Sequence, residues 1–214
     1  MKVGIIGTGS VGSALGTSLI RAGHEVTLGA RNAEKTRKVA AEIGASTATP
    51  VETARVADVI VLAVPYTQAA SVVREIAAVA SGKVVIDATN PLKADYSGLA
   101  TEGGPSGAER LAAIAPSAKF VKAFNTIFAS IQANPASHGQ VIDALLAGDD
   151  ADAKATVATL ARSIGLRPVD AGALAGAREL EAMAWLNIAL QLRTGGNWDS
   201  TFVLVGAPEK AIAA

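Results

Sequence analysis

Cysteine is absent from this sequence of 214 residues, and aromatic side chains make up only 4% of it. Without thiols the chain forms no disulfide framework, cysteine zinc site, iron–sulfur cluster or thiolate nucleophile. Net charge is missing too, because 19 basic side chains balance 19 acidic ones, and this leaves no electrostatic attraction for nucleic acid or an anionic membrane. We therefore expect a small-molecule partner, with no nucleic acid and no membrane.

Long hydrophobic runs are missing as well. The longest dense apolar stretch, residues 56–65, is interrupted by Asp58 and falls short of the roughly 18 residues that suggest a membrane span. Met1 and Lys2 lead directly into the apolar residues 3–6, which are too few for the apolar region of a signal peptide. We expect a cytoplasmic protein.

Small apolar side chains are abundant: half of the residues are hydrophobic, supplied by alanine and valine rather than by phenylalanine or tryptophan. At this length one domain, alone or with a small appendage, is expected. Short apolar runs alternate with amphipathic stretches of helical length, which predicts strand–helix–strand units and a doubly wound, mainly parallel α/β sheet. The runs show no polar alternation, as expected for strands that are covered on both faces.

This alternation places the individual elements. The predicted strands are residues 2–6, 25–28, 59–63, 84–87, 119–122, 144–147 and 166–169. The predicted helices are residues 11–22, 33–43, 67–79, 107–114, 151–164 and 174–193. The last helix carries a spaced face of Leu180, Met183, Ala184, Asn187 and Leu190. Residues 95–107 interrupt the pattern with glycines and small polar residues, which predicts a long loop of the kind that is usually functional or mobile.

Between the first predicted strand and the first predicted helix stands the glycine-rich motif Gly7-Thr8-Gly9-Ser10-Val11-Gly12. The spacing of the glycines alone is a weak signal, but at a turn between a strand and a helix there is a structural reason for each glycine. The first permits a tight turn, the second lets the backbone approach a pyrophosphate, and the third permits close packing of helix on strand. The phosphates would face the free N–H groups and positive dipole of the helix. The motif predicts a dinucleotide site rather than a turn packed for its own sake.

The turn after the second predicted strand distinguishes NADP from NAD. NAD-binding folds place an acidic residue about 20 residues beyond the glycines, where it binds the ribose 2′-hydroxyl. This chain has Ala30-Arg31-Asn32 there and no acidic side chain before Glu34. Arg31 offers a planar set of donors to a 2′-phosphate, and Lys35 adds a positive charge one helical turn later. A solvated basic helix start is the alternative, but it leaves the missing acid unexplained, so the sequence favours NADP.

Polar residues and prolines follow three more predicted strands. The carboxyl ends of parallel strands border the crevice in which ligands bind. Here they lead into the segments Val64-Pro65-Tyr66, Thr89-Asn90-Pro91 and Asn125-Thr126-Ile127-Phe128. The prolines would stiffen loops beside the nicotinamide, although simple termination of strands explains them equally well. The polar side chains in the second segment would bind the ribose or carboxamide, and together the three strand ends predict a pocket.

Groups for proton transfer are sparse. The sequence has no serine–histidine–aspartate arrangement, no HExxH motif and no lysine in a motif typical of catalysis. His24 lies in a predicted helix-to-strand turn and His138 in a loop, where we expect no catalytic role for either. Asp87 and Asp170 follow strands, where caps and turns use aspartate as readily as catalysis does. We therefore predict no proton-transfer dyad and no metal site.

Several further motifs occur in a fixed order. They are Ala63-Val64-Pro65, Thr89-Asn90-Pro91-Leu92, residues 121–127, residues 147–150, residues 165–172 and residues 177–181. Together with residues 2–32 these motifs resemble the coenzyme F420-dependent NADP oxidoreductase family. The fold of that family is also similar to the cytoplasmic reductase domain of the six-transmembrane metalloreductases. The resemblance extends over nearly the whole chain, to residue 192.

This resemblance implies an enzyme that transfers a hydride between NADP(H) and a deazaflavin, coenzyme F420, or a flavin such as FMN or FAD. It implies a Rossmann-type domain over residues 1–150 and a small helical part over residues 151–214 that completes the sheet edge and forms the acceptor and dimer surface. A homodimer is implied as well. Such a reaction needs little side-chain chemistry, because the two cofactors carry the electrons and the protein holds them in a water-poor cleft.

The resemblance also implies roles for individual residues. Those that would hold NADP(H) are Gly7, Thr8, Gly9, Ser10, Val11, Gly12, Arg31, Asn32, Lys35, Val64, Pro65, Asn90 and Pro91. Those that would form the acceptor pocket are Tyr66, Asn125, Thr126, Ile127, Phe128 and Asn187. Because aromatic side chains are scarce in this sequence, we expect the walls of the acceptor pocket to come from Tyr66, Phe124, Phe128, Trp185 and Trp198.

Two positions depart from the family pattern. Asn125 stands where archaeal deazaflavin-specific members tend to have histidine, and Phe128 where they tend to have proline. The sequence leaves the acceptor open among coenzyme F420, FMN, FAD and riboflavin. Two other functions also stay open. One is an NADPH-dependent reductase of a small imine or carbonyl substrate, although such enzymes carry a much longer helical domain, and the other is a non-catalytic NADP-binding regulatory module.

Overall fold

The computed structural model describes residues 1–206; residues 207–214, which end the predicted C-terminal part, lie outside the described residues. The strands in residues 1–206 are β1 (Lys2–Ile6), β2 (Glu25–Gly29), β3 (Ser46–Ala48), β4 (Val59–Leu62), β5 (Val84–Asp87), β6 (Lys119–Lys122), β7 (Ile142–Gly148) and β8 (Leu166–Asp170). They form one sheet in the order β3-β2-β1-β4-β5-β6-β7-β8. The first six strands are parallel, and β7 and β8 run in the opposite direction.

Helices connect the strands and cover both faces of the sheet. They are α1 (Ser10–Arg21), α2 (Ala33–Ile43), α3 (Pro50–Val56), α4 (Tyr66–Ala80), α5 (Gly107–Ile114), α6 (Ala129–Ala133), α7 (Ala151–Ser163) and α8 (Ala177–Thr194). Short 3₁₀ turns span Pro135–His138 and Leu174–Gly176. The prediction of a Rossmann-type doubly wound, mainly parallel sheet with a C-terminal helix is confirmed.

The hydrophobic core lies on both faces of the sheet. Every residue of β4 is buried, which explains the absence of polar alternation in that run. Ile5 and Val61 belong to the core on one face, and Ile60 and Leu62 to the core on the other. The small side chains let the helices lie close to the strands, so the interior is filled without large aromatic residues.

The order of strands reverses beside β1. The chain continues to β2 and β3 on one side of β1 and returns to β4 on the other. Loops that leave β1 and β4 therefore turn toward opposite faces, and this arrangement opens a crevice at the carboxyl ends of the two strands. The glycine-rich motif follows β1, and Val64 and Pro65 follow β4, so both lie at this crevice.

Some elements differ from the sequence prediction. Neither β3 nor α3 is predicted, because β3 has three residues at the sheet edge and α3 has seven. A local signal for α3 exists: Thr49 and Glu52 form a capping box around Pro50. The last helix begins at Ala177 rather than at residue 174, because a 3₁₀ turn precedes it. Along the predicted face of that helix, Leu180, Ala184 and Asn187 are buried, whereas Leu190 is 42% exposed.

Membrane-spanning helices and clustered metal ligands are both absent from the part of the chain that the structure describes. No helix within residues 1–206 combines the length and apolar character that crossing a bilayer requires. No group of three or more histidine, aspartate or glutamate side chains in the same residues is arranged to hold a metal ion.

Candidate active site

The glycine-rich turn has the geometry that its spacing predicts. Gly7 has a φ of 119°, and a Cβ atom there would lie 2.2 Å from the carbonyl oxygen of Ala63. A Cβ atom at Gly12 would lie 2.1 Å from the carbonyl oxygen of Gly7. Side chains at these two positions would force the turn away from β4 and α1 away from the turn. The first and third glycines are therefore required by packing.

The second glycine differs, because a Cβ atom at Gly9 would meet no atom within 4 Å. Gly9 is also the N-cap residue of α1, and no side chain among the described residues caps the helix there. The free N–H groups of the first turn thus face open space, which is the arrangement that binds a phosphate. The turn therefore fits a dinucleotide pyrophosphate.

The turn after β2 holds the basic residues predicted for the 2′-phosphate. Nη2 of Arg31 donates to Oγ of Ser71 on α4 at 2.7 Å, so the guanidinium is oriented before any ligand binds. The Asn32 side chain accepts the N–H of Lys35 and caps α2. A neighbouring cavity of about 460 Å³ is lined by Ala30, Arg31, Ala33, Thr36, Arg37, Thr47, Ala48, Thr49, Pro50, Glu52 and Glu75. Lys35 is not in this lining.

A second and larger cavity, of about 690 Å³, lies at the carboxyl ends of β5 and β6. Its lining residues are Ser10, Val11, Ala88, Asn90, Tyr96, Phe124, Asn125, Ile127, Phe128, Ala129, Ser130, Ile188, Leu192, Asn197 and Trp198. None of these side chains carries a charge, and apolar groups dominate the walls. The start of α1 lies at one end of this cavity, so it is continuous with the glycine-rich turn. We call this cavity the cleft.

Two asparagines form a reciprocal amide pair at the cleft. Nδ2 of Asn125 donates to Oδ1 of Asn90 at 3.0 Å and to the carbonyl oxygen of Leu180 at 3.1 Å. Nδ2 of Asn90 donates in turn to the carbonyl oxygen of Asn125 at 3.1 Å. The pair joins the loops after β5 and β6 to α8, and these contacts fix the direction of both amides.

Backbone strain is concentrated at the same place. Four non-glycine residues within residues 1–206 have a positive φ, and three of them line the cleft: Tyr96, Phe124 and Trp198. Left-handed backbone is unfavourable for bulky side chains and persists where surrounding contacts enforce it, which is often at functional sites. The backbone strain is therefore a second indication, independent of the shape of the cleft, that the cleft is a functional site.

The predicted acceptor residues are only partly brought together. Asn125, Ile127 and Phe128 line the cleft, and so do Phe124 and Trp198 among the predicted aromatic walls. Tyr66, Thr126, Trp185 and Asn187 are not in its lining, and neither are Val64, Pro65 and Pro91. Burial raises the pKa of Tyr66, whose ring lies against Gly107.

The chain beyond α8 forms one wall of the cleft. The Trp198 ring contacts the Phe128 ring edge-on, with 5.4 Å between the centroids. Oγ of Ser130 donates to the carbonyl oxygen of Trp198 at 2.8 Å. From α8, Asn187 donates to the carbonyl oxygen of Ser200 at 2.9 Å and accepts its hydroxyl at 2.6 Å. These contacts hold residues 197–201, which we call the strap, against the mouth of the cleft.

The two histidines lie outside the lining of the cleft. His24 contacts Oγ of Ser163 at 2.9 Å through Nε2. His138 contacts Ser137 at 2.9 Å and the carbonyl oxygen of Asp199 at 3.1 Å. Asp170, at the end of β8, binds Lys154 at 2.8 Å. These contacts give the three residues structural roles.

Sequence reasoning missed a buried charge cluster, which consists of Asp87, Lys122 and Glu181. The Lys122 ammonium donates to Asp87 Oδ2 at 2.9 Å, to Glu181 Oε1 at 2.9 Å and to the carbonyl oxygen of Thr89 at 2.6 Å. Burial alone would lower the pKa of Lys122, but the two carboxylates outweigh it and raise this pKa above its ordinary value. Lys122 is therefore charged although it is fully buried.

Comparisons with known proteins bear on this arrangement. Residues 2–91 match the family model described as NADP oxidoreductase coenzyme F420-dependent. The F420-dependent NADP reductase of Methanothermobacter thermautotrophicus is 35% identical over 212 residues, which cover 90% of each chain. The metalloreductase STEAP3 of Rattus norvegicus is 35% identical over 185 residues, 85% of this chain and 36% of that protein. This chain thus spans about a third of the length of STEAP3.

One solved structure is similar over nearly the full length. It comes from Arthrobacter sp. FB24 and is described as a candidate F420-dependent NADP reductase. It has a TM-score of 0.86 and 29% sequence identity, and the likeness covers 95% of this chain and 99% of that one. The similarity therefore extends well beyond the glycine-rich turn and into the C-terminal part.

Proposed function

Because this chain belongs to the coenzyme F420-dependent NADP oxidoreductase family and is an NADP-dependent oxidoreductase, we propose that it transfers a hydride between NADP(H) and a planar deazaflavin or flavin acceptor. The continuity of the cleft carries this proposal. Ser10 and Val11 of the glycine-rich turn line the same cavity as the Asn90–Asn125 pair and Trp198. A dinucleotide bound at α1 and a second ring system would meet inside it.

The predicted NADP(H) residues follow the carboxyl ends of β1, β2, β4 and β5. The amino end of α1 would bind the pyrophosphate, for which Gly9 leaves open space. Arg31, held by Ser71 at 2.7 Å, would bind the 2′-phosphate. Asn90 would reach the nicotinamide end, with Val64 and Pro65 bordering the path between them. The proposed site thus combines local backbone donors with one oriented guanidinium.

The acceptor would occupy the part of the cleft between the amide pair and the strap. When both are bound, the cofactors supply the redox chemistry: a hydride leaves the nicotinamide with its electron pair and reduces the acceptor ring. The apolar walls, including Phe124, Ile127 and Phe128, would exclude water and stack against a planar ring. No charged side chain lines the cleft, so the chain would contribute orientation and desolvation rather than acid–base catalysis.

The C-terminal part would complete the site and form a homodimer. Ile188 and Leu192 of α8 line the cleft together with Trp198, which supports the proposed division of roles between residues 1–150 and the rest of the chain. Leu186 and Leu190 lie one turn apart on α8 and are 51% and 42% exposed. Exposed leucines at this spacing support an isologous contact with a second copy. Light scattering on the intact protein should give the mass of two chains.

A panel of acceptors tests the proposed reaction. The near-ultraviolet absorbance of NADPH should fall in the presence of coenzyme F420, FMN or FAD, and it should remain constant with simple imines and carbonyl compounds. The variant Asn125→Ala should slow this turnover, because it removes the amide that orients Asn90. Absence of turnover with every planar acceptor would overturn the proposal.

The identity of the nucleotide has its own test. Arg31→Ala should weaken NADPH binding about 10- to 100-fold, because charge-assisted hydrogen bonds contribute roughly 1.5–3 kcal/mol. It should leave the weaker binding of NADH unchanged, since NADH has no 2′-phosphate. Lys38→Ala removes an exposed positive charge from the same region and serves as the control. Equal affinities of the wild type for NADPH and NADH would refute the assignment.

A further inference from the structure

The buried charge cluster joins four elements beside the cleft. Asp87 ends β5, Lys122 ends β6 and Glu181 lies in the first turns of α8. The Glu181 carboxylate also accepts the N–H of Gly107 at 2.9 Å and that of Ala108 at 3.2 Å, so it binds the start of α5. A Cβ atom at Gly107 would lie 3.1 Å from Glu181 Oε1 and 2.8 Å from the Tyr66 ring. Glycine at this position therefore permits the approach of α8.

The cluster also fixes one peptide of the loop that borders the cleft. Lys122 holds the carbonyl oxygen of Thr89 at 2.6 Å, and Asp87 Oδ1 accepts the Thr89 N–H at 2.9 Å. In a planar trans peptide the N–H and the preceding carbonyl point in opposite directions. With the Thr89 carbonyl directed at Lys122, the N–H of Asn90 is directed away from the cluster. Asn90 lines the cleft, so this donor is oriented by a charge outside it.

Stability alone is a weak explanation for this cluster. It has two carboxylates and one ammonium, all buried, and burying such charges is unfavourable unless their attraction and hydrogen bonds compensate for lost hydration. An apolar side chain of the same volume often stabilises a core equally well. Unlike an apolar side chain, the Lys122 ammonium fixes the positions of three hydrogen-bond acceptors. One of these acceptors belongs to the loop that carries Asn90.

We propose that Lys122 is a positioning residue for the nicotinamide end of NADP(H). By holding the Thr89 carbonyl, it directs the Asn90 N–H and the Asn90–Asn125 pair at the carboxamide of the nicotinamide. Glu181 connects α8 to the same ammonium, so the wall of the cleft and its polar loop are placed together. This proposal rests on the proposed function only in requiring that NADP(H) binds in the cleft.

A comparison of two ligands separates positioning from general structural support. NADPH carries the nicotinamide, whereas 2′-phospho-ADP-ribose has the same adenine end and pyrophosphate without it. Lys122→Met should weaken NADPH binding about 10-fold and change binding of the fragment by less than about two-fold. Bound NADPH should also lose part of its nicotinamide fluorescence enhancement. Arg31→Ala should weaken both ligands, because both carry the 2′-phosphate.

Lys154→Met provides the matched control. Lys154 also donates to a carboxylate and a carbonyl oxygen, at 2.8 Å to Asp170 and at 3.3 Å to Gly172. Lys154 lies on α7 and Asp170 ends the edge strand β8, two strands from β6, and neither residue lines the cleft. The same substitution there should leave the affinity for both ligands unchanged.

A neutral triple variant keeps the test decisive if Lys122→Met fails to fold. Asp87→Asn, Lys122→Met and Glu181→Gln together remove every charge of the cluster, while Asn at position 87 can still accept the Thr89 N–H. The triple variant should show the same selective loss of NADPH. Equal loss of both ligands, or no loss of either, would overturn the proposal. If no acceptor supported turnover, the proposed reaction would be refuted but this binding test would be unaffected. The two proposals can therefore be refuted independently.

Discussion

The two ends of the cleft are built in different ways. At the α1 end, the six consecutive residues of the glycine-rich turn supply Ser10 and Val11 to the lining, and backbone atoms and missing side chains provide the geometry of the turn. At the α8 end, the walls come from the loops after β5 and β6, from α8 and from the strap, and side-chain hydrogen bonds hold them together. The first end is a local backbone structure, whereas the second is an assembly of distant segments.

This difference assigns separate tasks to the two ends. A backbone site of this kind would accept the pyrophosphate of any dinucleotide, and in the proposed site Arg31 would add a preference for a 2′-phosphate. The shape of the cleft at the α8 end depends on the identity of each side chain in its walls. We therefore expect this end to determine the acceptor preference. Substitutions at the first end should therefore affect the fold or NADPH binding, and those at the second should affect the acceptor.

The largest effect is expected from Gly12→Ala. The added methyl group would lie 2.1 Å from the Gly7 carbonyl oxygen, which is backbone and cannot turn away. The helix must then shift from the turn, so we expect a loss of about 3 kcal/mol in the free energy of unfolding. NADPH binding should be lost as well. Thermal unfolding and a fluorescence titration measure the two effects.

Gly9→Ala is the matched control for Gly12→Ala. Its methyl group would enter open space, so the free energy of unfolding should change by less than about 0.5 kcal/mol. NADPH binding should still weaken, because the methyl group would occupy the space in front of the N–H groups of α1. Wild-type affinity in Gly9→Ala would contradict the assignment of this space to the pyrophosphate.

A smaller effect, confined to the acceptor, is expected from Trp198→Ala. The substitution removes a wall of the cleft and its edge-on contact with Phe128, at 5.4 Å between centroids. The KM for the acceptor should rise about 10-fold, equivalent to about 1.4 kcal/mol, with NADPH affinity unchanged. Trp185→Ala removes the other tryptophan, which does not line the cleft, and should alter neither value. Equal effects of the two substitutions would contradict the assignment of the strap to the acceptor site.

The same contrast explains what the sequence could predict. Seven of the eight strands in residues 1–206 follow from apolar runs, and the turn follows from glycine spacing, because both signals lie in consecutive residues. The buried charge cluster joins residues 35 and 59 positions apart, and the strap joins Ser130 to a residue 68 positions later. Periodicity carries no information on such pairs. Lys122 itself offers a weak signal for the cluster, since a charged side chain at the end of a buried strand requires buried partners.

The smallest effect concerns how α8 is attached to the dinucleotide-binding part. Arg178 on α8 binds the Glu109 carboxylate on α5 through two hydrogen bonds, at 2.6 and 2.8 Å. These bonds, with those from Ser106, lower the pKa of Glu109 from 4.5 to about 2 although partial burial opposes the change. Because the folded pKa is depressed, the interaction stabilises the protein above pH 4.5 and is lost as pH falls toward 2.

Solvent screening at this partly exposed pair reduces its contribution to about 1 kcal/mol. Arg178→Gln should therefore lower the free energy of unfolding at neutral pH by about that amount and flatten its decline in acid. Arg193→Gln removes the same charge from the far end of α8 and should leave the slope unchanged. Urea unfolding at a series of pH values distinguishes the two, and parallel curves for wild type and Arg178→Gln would show that this ion pair does not attach α8. In that case the buried charge cluster and the amide pair would be the main polar connections of α8 to the elements that precede it.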